Sequence, residues 1–141
     1  MKRLIILIFL MFSLQAFAPA SNCLVILDNS PIQPYEKLWE AICEIESGGN
    51  TYAIGDKHLM HHSYGIVQIR QSRLNDYVKQ TGKVYTVQDC FDKEVSREIF
   101  MFYVSPDFET TAREWNGGAN GMKKKSTLKY WEKVENKLKE L

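Results

Sequence analysis

Most of the chain alternates apolar and polar residues at helical spacing. From Tyr35 onward, Leu38, Trp39, Ile42 and Ile45 recur at three- and four-residue steps, while Glu36, Glu40 and Glu44 gather on the opposite side. The stretch is entered after Pro34 and closed by Gly48-Gly49, which predicts a helix over residues 35–47. Residues 50–62 lose the period and read as a long loop; any strands are expected to be short and confined to residues 51–62. A second helix is expected within residues 63–80, stopped by Gly82. Thr86-Val87-Gln88-Asp89 has the form of a capping box opening a third, with Phe91, Val95, Ile99, Phe102 and Tyr103 on one face. A short helix at 109–115 leads into a turn-rich loop, 116–121. The last helix starts at Thr127 as N-cap and puts Trp131, Val134, Leu138 and Leu141 on one side. The pattern predicts a mainly α domain with no internal repeat.

At 141 residues the chain has room for one core, not two. Met1-Lys2-Arg3, an apolar run to Leu14 and the small residues Ala16, Ala18 and Ala20 form an export signal, expected to be cut after Ala20. The expected organisation is a signal peptide at 1–20, a short leader at 21–34 and one domain at 35–141, placed in the periplasm, the cell envelope or the medium. Membrane association would follow only from an uncleaved signal, whose apolar run is short for a span, or from lipidation of Cys23, which Asn22 before it disfavours. Losing Lys2 and Arg3 leaves 16 basic against 17 acidic residues, a balance that argues against a nucleic-acid partner. Lys123-Lys124-Lys125 is the basic cluster, read as a solvated loop that can still meet an anionic polymer. Cys23, Cys43 and Cys90 lack metal-ligand spacing; a Cys43–Cys90 bridge and buried free thiols both remain open.

One carboxylate breaks the pattern. Glu46 falls in the middle of the apolar arc of the first helix, in its last turn, where the negative end of the helix dipole disfavours another negative charge. Both effects raise its pKa, the condition for an acid that keeps a proton near neutral pH and gives it to a leaving group. Turning its head group out to water is the structural alternative.

Glu46-Ser47-Gly48-Gly49-Asn50, then Ala53-Ile54-Gly55-Asp56, then Ser63-Tyr64-Gly65-Ile66-Val67-Gln68-Ile69 resemble the soluble lytic transglycosylases and their goose-type lysozyme relatives. Ala112-Arg113-Glu114-Trp115-Asn116-Gly117-Gly118 resembles that family's Ala-Tyr-Asn-x-Gly motif, and the stretch from Thr127 through Tyr130 to Val134 its closing Thr-x-x-Tyr-x-x-Val. The blocks keep the family's order over most of residues 35–134. The resemblance implies a lysozyme-like α+β fold, mainly α, with a substrate cleft between two lobes, and a monomer acting on peptidoglycan glycan strands without cofactor or metal. It makes Glu46 the general acid/base, places Gln68 and Asn116 in the sugar cleft and Tyr130 near the catalytic carboxylate, and adds Ser47 and Tyr64 as substrate-binding candidates.

A lytic transglycosylase of this kind relies on one glutamate, which protonates the β-1,4 glycosidic oxygen between N-acetylmuramic acid and N-acetylglucosamine and then activates the muramyl 6-hydroxyl to close a 1,6-anhydro ring. Asp56 keeps the hydrolytic, goose-type outcome open, because Gly55-Asp56 resembles a pair whose aspartate positions water. Arg70 stands where those lysozymes have a second aspartate and cannot act as a base. His58, His61 and His62 are weighed as a metal site and read instead as a cleft-edge loop. Trp39 and Trp131 are read as core, whereas Trp115 abuts the site motif. A wall-binding domain without cleavage, or a secreted interaction module, are the competing classes.

Overall fold

A computed structural model describes residues 34–141, so the export segment, Cys23 and all of the leader but Pro34 lie outside the described residues. Among the described residues, five α-helices, a three-stranded antiparallel sheet and three 3-10 turns make up a mainly α, lysozyme-like domain. Helix α1 runs Pro34–Ser47 with Pro34 at its first position, where a missing N–H costs nothing. It ends as its two glycines require. Gly48 and Gly49 both have positive φ; the Gly48 N–H donates to the Glu44 carbonyl, the bond of an αL closure, and the Gly49 N–H to that of Cys43.

Strands β1 (Ile54–Gly55), β2 (Ser63–Tyr64) and β3 (Ile69–Arg70) are two residues each and pair in chain order, Ile54 opposite Tyr64 and Ser63 opposite Arg70. Two of them lie beyond residue 62, outside the range expected for strands. The reason is Gln68, whose left-handed φ of 56° turns the chain so that β3 returns along β2 before α2 (Gln71–Thr81) begins. Gly82 closes α2 in the left-handed conformation.

The capping box of Thr86 and Asp89 forms, with the Thr86 N–H and hydroxyl both donating to the Asp89 carboxylate. It opens a 3-10 turn, Val87–Phe91, rather than the next α-helix. Helix α3 (Lys93–Phe102) has its own cap, Asp92, which accepts from the N–H groups of Glu94 and Val95. Helix α4 (Phe108–Gly117) is longer than its sequence pattern indicates and takes Asn116 into its last turn. Helix α5 (Leu128–Glu140) is preceded by Thr127, whose hydroxyl caps nothing. It donates to the carbonyls of Gly121 and Lys124 and accepts from Arg113 Nε instead.

The core is one cluster in which Leu38, Trp39 and Ile42 of α1 meet Val67 and Ile69, Leu74 of α2, Ile99 and Phe100 of α3, Ala112 and Trp115 of α4, and Val134 of α5. Phe100 joins the two buried tryptophans, 5.4 Å from Trp39 and 5.0 Å from Trp115 between ring centroids. Trp131 is half-buried against the same cluster. Cys43 and Cys90 are free and buried. Burial pushes their thiols up to about 12 and about 11, so neither is a nucleophile near neutral pH. Among the described residues no helix is long and apolar enough to cross a membrane.

Candidate active site

Helix α1 packs against α5, and this contact decides where the last turn of α1 points. Glu46 is carried on that turn into a cleft of about 680 Å³, with Tyr130 of α5 behind it. The Tyr130 hydroxyl donates to Glu46 Oε1 at 2.6 Å, tying the carboxyl to one position. Burial is the largest influence on Glu46 and raises its pKa above the usual carboxylate value. The Tyr130 hydrogen bond and the charges of Arg70 and Arg73 oppose the rise, while Asp56 adds to it. Burial and the adjoining carboxyl push the Tyr130 phenol well above its ordinary value, so it acts as a donor only.

The cleft also takes in Asp56, Gln68 and Asn116 from the sequence-based set. Asp56 sits in a turn after β1 with φ 51°, its carbonyl accepting from the Leu59 N–H, and its carboxylate accepts from Arg70 Nη2 at 2.8 Å. Arg70, absent from that set as a site residue, therefore provides the partner of Asp56 across the sheet. Gln68 lines the wall with its amide already occupied: Nε2 donates to the carbonyls of Ala53 and Gly65, and Oε1 accepts from the Ser63 hydroxyl. It holds the sheet together at the cleft floor. Asn116 is exposed at the end of α4, its amide available.

Ser47 and Tyr64, the other two substrate-binding candidates, are not among the residues lining the cleft. The Ser47 hydroxyl donates to the carbonyls of Ile66 and Cys43, fastening the end of α1 to the β2–β3 turn. Tyr64 meets His62 at a tilt and Phe91 edge-on, outside the cleft lining. His58 and His61 are exposed on the loop, and no cluster of His, Cys, Asp or Glu suited to a metal occurs among the described residues.

Sequence reasoning missed Arg73, Asp76, Tyr103 and Glu114 of the cleft lining. Arg73 and Asp76 of α2 and Glu114 of α4 occupy the polar faces of their helices, where periodicity predicts only solvent, whereas Tyr103, just past the end of α3, belongs to the apolar face and reads as core. Trp115 backs the same wall while remaining core, its indole N–H donating to the Val67 carbonyl at 3.0 Å.

Because the Tyr130 hydrogen bond favours the ionised carboxylate, Tyr130→Phe is expected to raise the pKa of Glu46 further. If Glu46 is the acid, the alkaline limb of the kcat/KM profile lies at that pKa and moves to higher pH in the variant. A limb that stays in place or moves down assigns the titration to another group.

No protein-family model matches the chain. It is similar to an invertebrate-type lysozyme of Ruditapes philippinarum, with 28% identity over 116 residues that cover 77% of this chain and 85% of that protein. The similarity agrees with the lysozyme-like fold and supports a lysozyme-like chain.

Proposed function

We propose that the chain is an exported lysozyme-like glycosidase that cleaves peptidoglycan between N-acetylmuramic acid and N-acetylglucosamine, with Glu46 as general acid/base and water as acceptor. The carrying observation is Glu46 itself, a carboxyl whose proton affinity is raised by burial, clamped by Tyr130 and open to the cleft. Protonated Glu46 gives its proton to the glycosidic oxygen, and the leaving sugar departs with it. Positive charge then builds at the anomeric carbon, in a cleft that also holds the Asp56 carboxylate kept in place by Arg70. A water adds its oxygen to that carbon and returns a proton to Glu46, restoring the acid. The second carboxylate in the same cleft and the similarity to a lysozyme both support this hydrolytic outcome.

A second reading keeps the single-glutamate chemistry of lytic transglycosylases, in which the muramyl 6-hydroxyl replaces water and the product carries a 1,6-anhydro ring. It is favoured by the ion pair itself, since a carboxylate already held by Arg70 has less capacity left to direct water.

Mass spectrometry of muropeptides released from purified peptidoglycan separates the two. Reducing ends are expected, together with a fall of about 10²-fold in kcat for Asp56→Asn. Anhydro ends with an Asp56→Asn rate within about threefold of the parent would replace hydrolysis by transglycosylation. A chain that pellets with peptidoglycan but releases nothing would be a glycan-binding domain.

A further inference from the structure

Among the described residues the cleft holds a cation that makes no direct ion pair. Arg73 projects from the first turn of α2 between two rings, its guanidinium carbon 4.2 Å from the Trp115 centroid and 4.9 Å from that of Tyr103. Its Nη2 donates to the carbonyls of Glu114 and Trp115 at the C-terminal end of α4, at 3.0 and 2.9 Å. Ring stacking and these two bonds fix the plane of the group. None of the ion pairs among the described residues includes Arg73. Asp76, the acid nearest in influence on the same helix, is taken up by the Tyr103 hydroxyl at 2.8 Å and the Gln80 amide at 2.7 Å.

A guanidinium has five N–H donors. The Nε and Nη1 hydrogens of Arg73 have no acceptor among the described residues, yet no buried side-chain nitrogen or oxygen there lacks a partner. These donors therefore retain access to solvent, and Arg73 belongs to the lining of the open cleft. Burial also weakens the hold of the group on its proton, and the nearby charges of Asp76 and Glu46 offset that loss only in part.

We propose that Arg73 is an anion-binding subsite that takes a carboxylate carried by the muramyl residue of the glycan, so that the cleft selects muramyl-containing strands over neutral poly-N-acetylglucosamine. This rests on the glycosidase reading above. Two sources offer the same chemistry, the lactyl carboxylate of a bare muramic acid and the carboxylates of its peptide stem. Glu114, another lining acid, limits how negative a ligand the wall accepts, which favours one carboxylate over a multiply charged chain.

The test uses the full chain carrying Glu46→Gln, so that ligands are not turned over, and measures Kd by titration calorimetry for three probes. These are neutral chitotetraose, a glycan tetrasaccharide stripped of peptide, and the same tetrasaccharide with its stems. One or both acidic probes are expected to bind about 10- to 100-fold tighter than chitotetraose, a preference that falls with added salt. Adding Arg73→Gln should abolish the preference while chitotetraose affinity stays within about threefold, and Arg73→Lys should retain part of it. Which acidic probe loses affinity identifies the carboxylate. Equal affinity for acidic and neutral probes before any change at Arg73 overturns the subsite, without need of a variant that folds. A uniform loss for all three on Arg73→Gln overturns it in favour of a structural role in bracing α4. Failure of all three probes to bind removes the glycosidase reading and the subsite with it.

Discussion

Glu46→Gln is expected to lower kcat for glycan cleavage by about 10³-fold, within the span that general acid/base groups contribute. Glycan binding should persist, because the amide keeps the shape of the side chain and still accepts from the Tyr130 hydroxyl. The same substitution should not destabilise the domain, and the sign follows from the raised pKa. A carboxyl whose folded pKa lies above its unfolded value contributes stability that is complete below the unfolded pKa and is lost as pH rises through the folded one. A neutral amide escapes that loss. The thermal midpoint of the variant is therefore expected to equal or exceed the parent's above the folded pKa of Glu46, with the difference shrinking in acid. Paired measurements of turnover and midpoint across pH check both halves. A variant that keeps a tenth or more of the parental rate would remove Glu46 from the chemistry. One that melts well below the parent at neutral pH would contradict the cost of its buried charge.

Gly65→Ala should be the most damaging methyl added at any glycine of the described residues. A Cβ at this position would lie 1.8 Å from the Cys90 carbonyl oxygen and 2.9 Å from its carbon, and the φ of +77° is one that L side chains avoid. The left-handed conformation costs about 1–2 kcal/mol and the overlap with rigid backbone about 1–3 more, so a loss of about 4 kcal/mol is expected. In a domain of this size that lowers the thermal midpoint by roughly 15–25 °C. The damage should reach the site, because the Gly65 carbonyl accepts from both the N–H and the side-chain amide of Gln68. Gly82→Ala is the control. It has the same sign of φ but nothing within 4 Å of its added carbon, so it should lose only about 1–2 kcal/mol. Calorimetric midpoints for the two variants should differ clearly; equal midpoints would mean that the Cys90 segment yields to the methyl.

Local rules carried much of the fold. A stripe of apolar residues between Pro34 and two glycines is enough to specify α1, because proline, glycine and the 3.6-residue period act within a few positions. The same holds for the stop at Gly82 and for the apolar side of α5. Where a side chain had two local partners to choose from, tertiary contacts chose. Thr127 has the chemistry of a cap, but buried Arg113 and the Gly121 and Lys124 carbonyls engage its hydroxyl instead. The strands after residue 62 escaped pattern recognition because two-residue elements have no period to detect, and the turn that pairs them, opened by Gly65, closes on a left-handed Gln68, a residue type that does not announce that conformation.

The site divides the same way. Glu46 is conspicuous in the sequence as an acid on an apolar face, since its misfit is with neighbours three and four residues away. Sequence alone determined that misfit, the helix that carries it and the mainly α class. Only the tertiary structure decided that Tyr130, 84 positions later, holds the carboxyl, that Arg70 holds Asp56, and that the polar faces of α2 and α4 converge on one cleft with Arg73 among them. A residue on the polar side of an amphipathic helix has the same local pattern whether it meets water or a cleft. The difference lies in which helices pack beside it, and that is set by long-range contacts that no short-range period encodes.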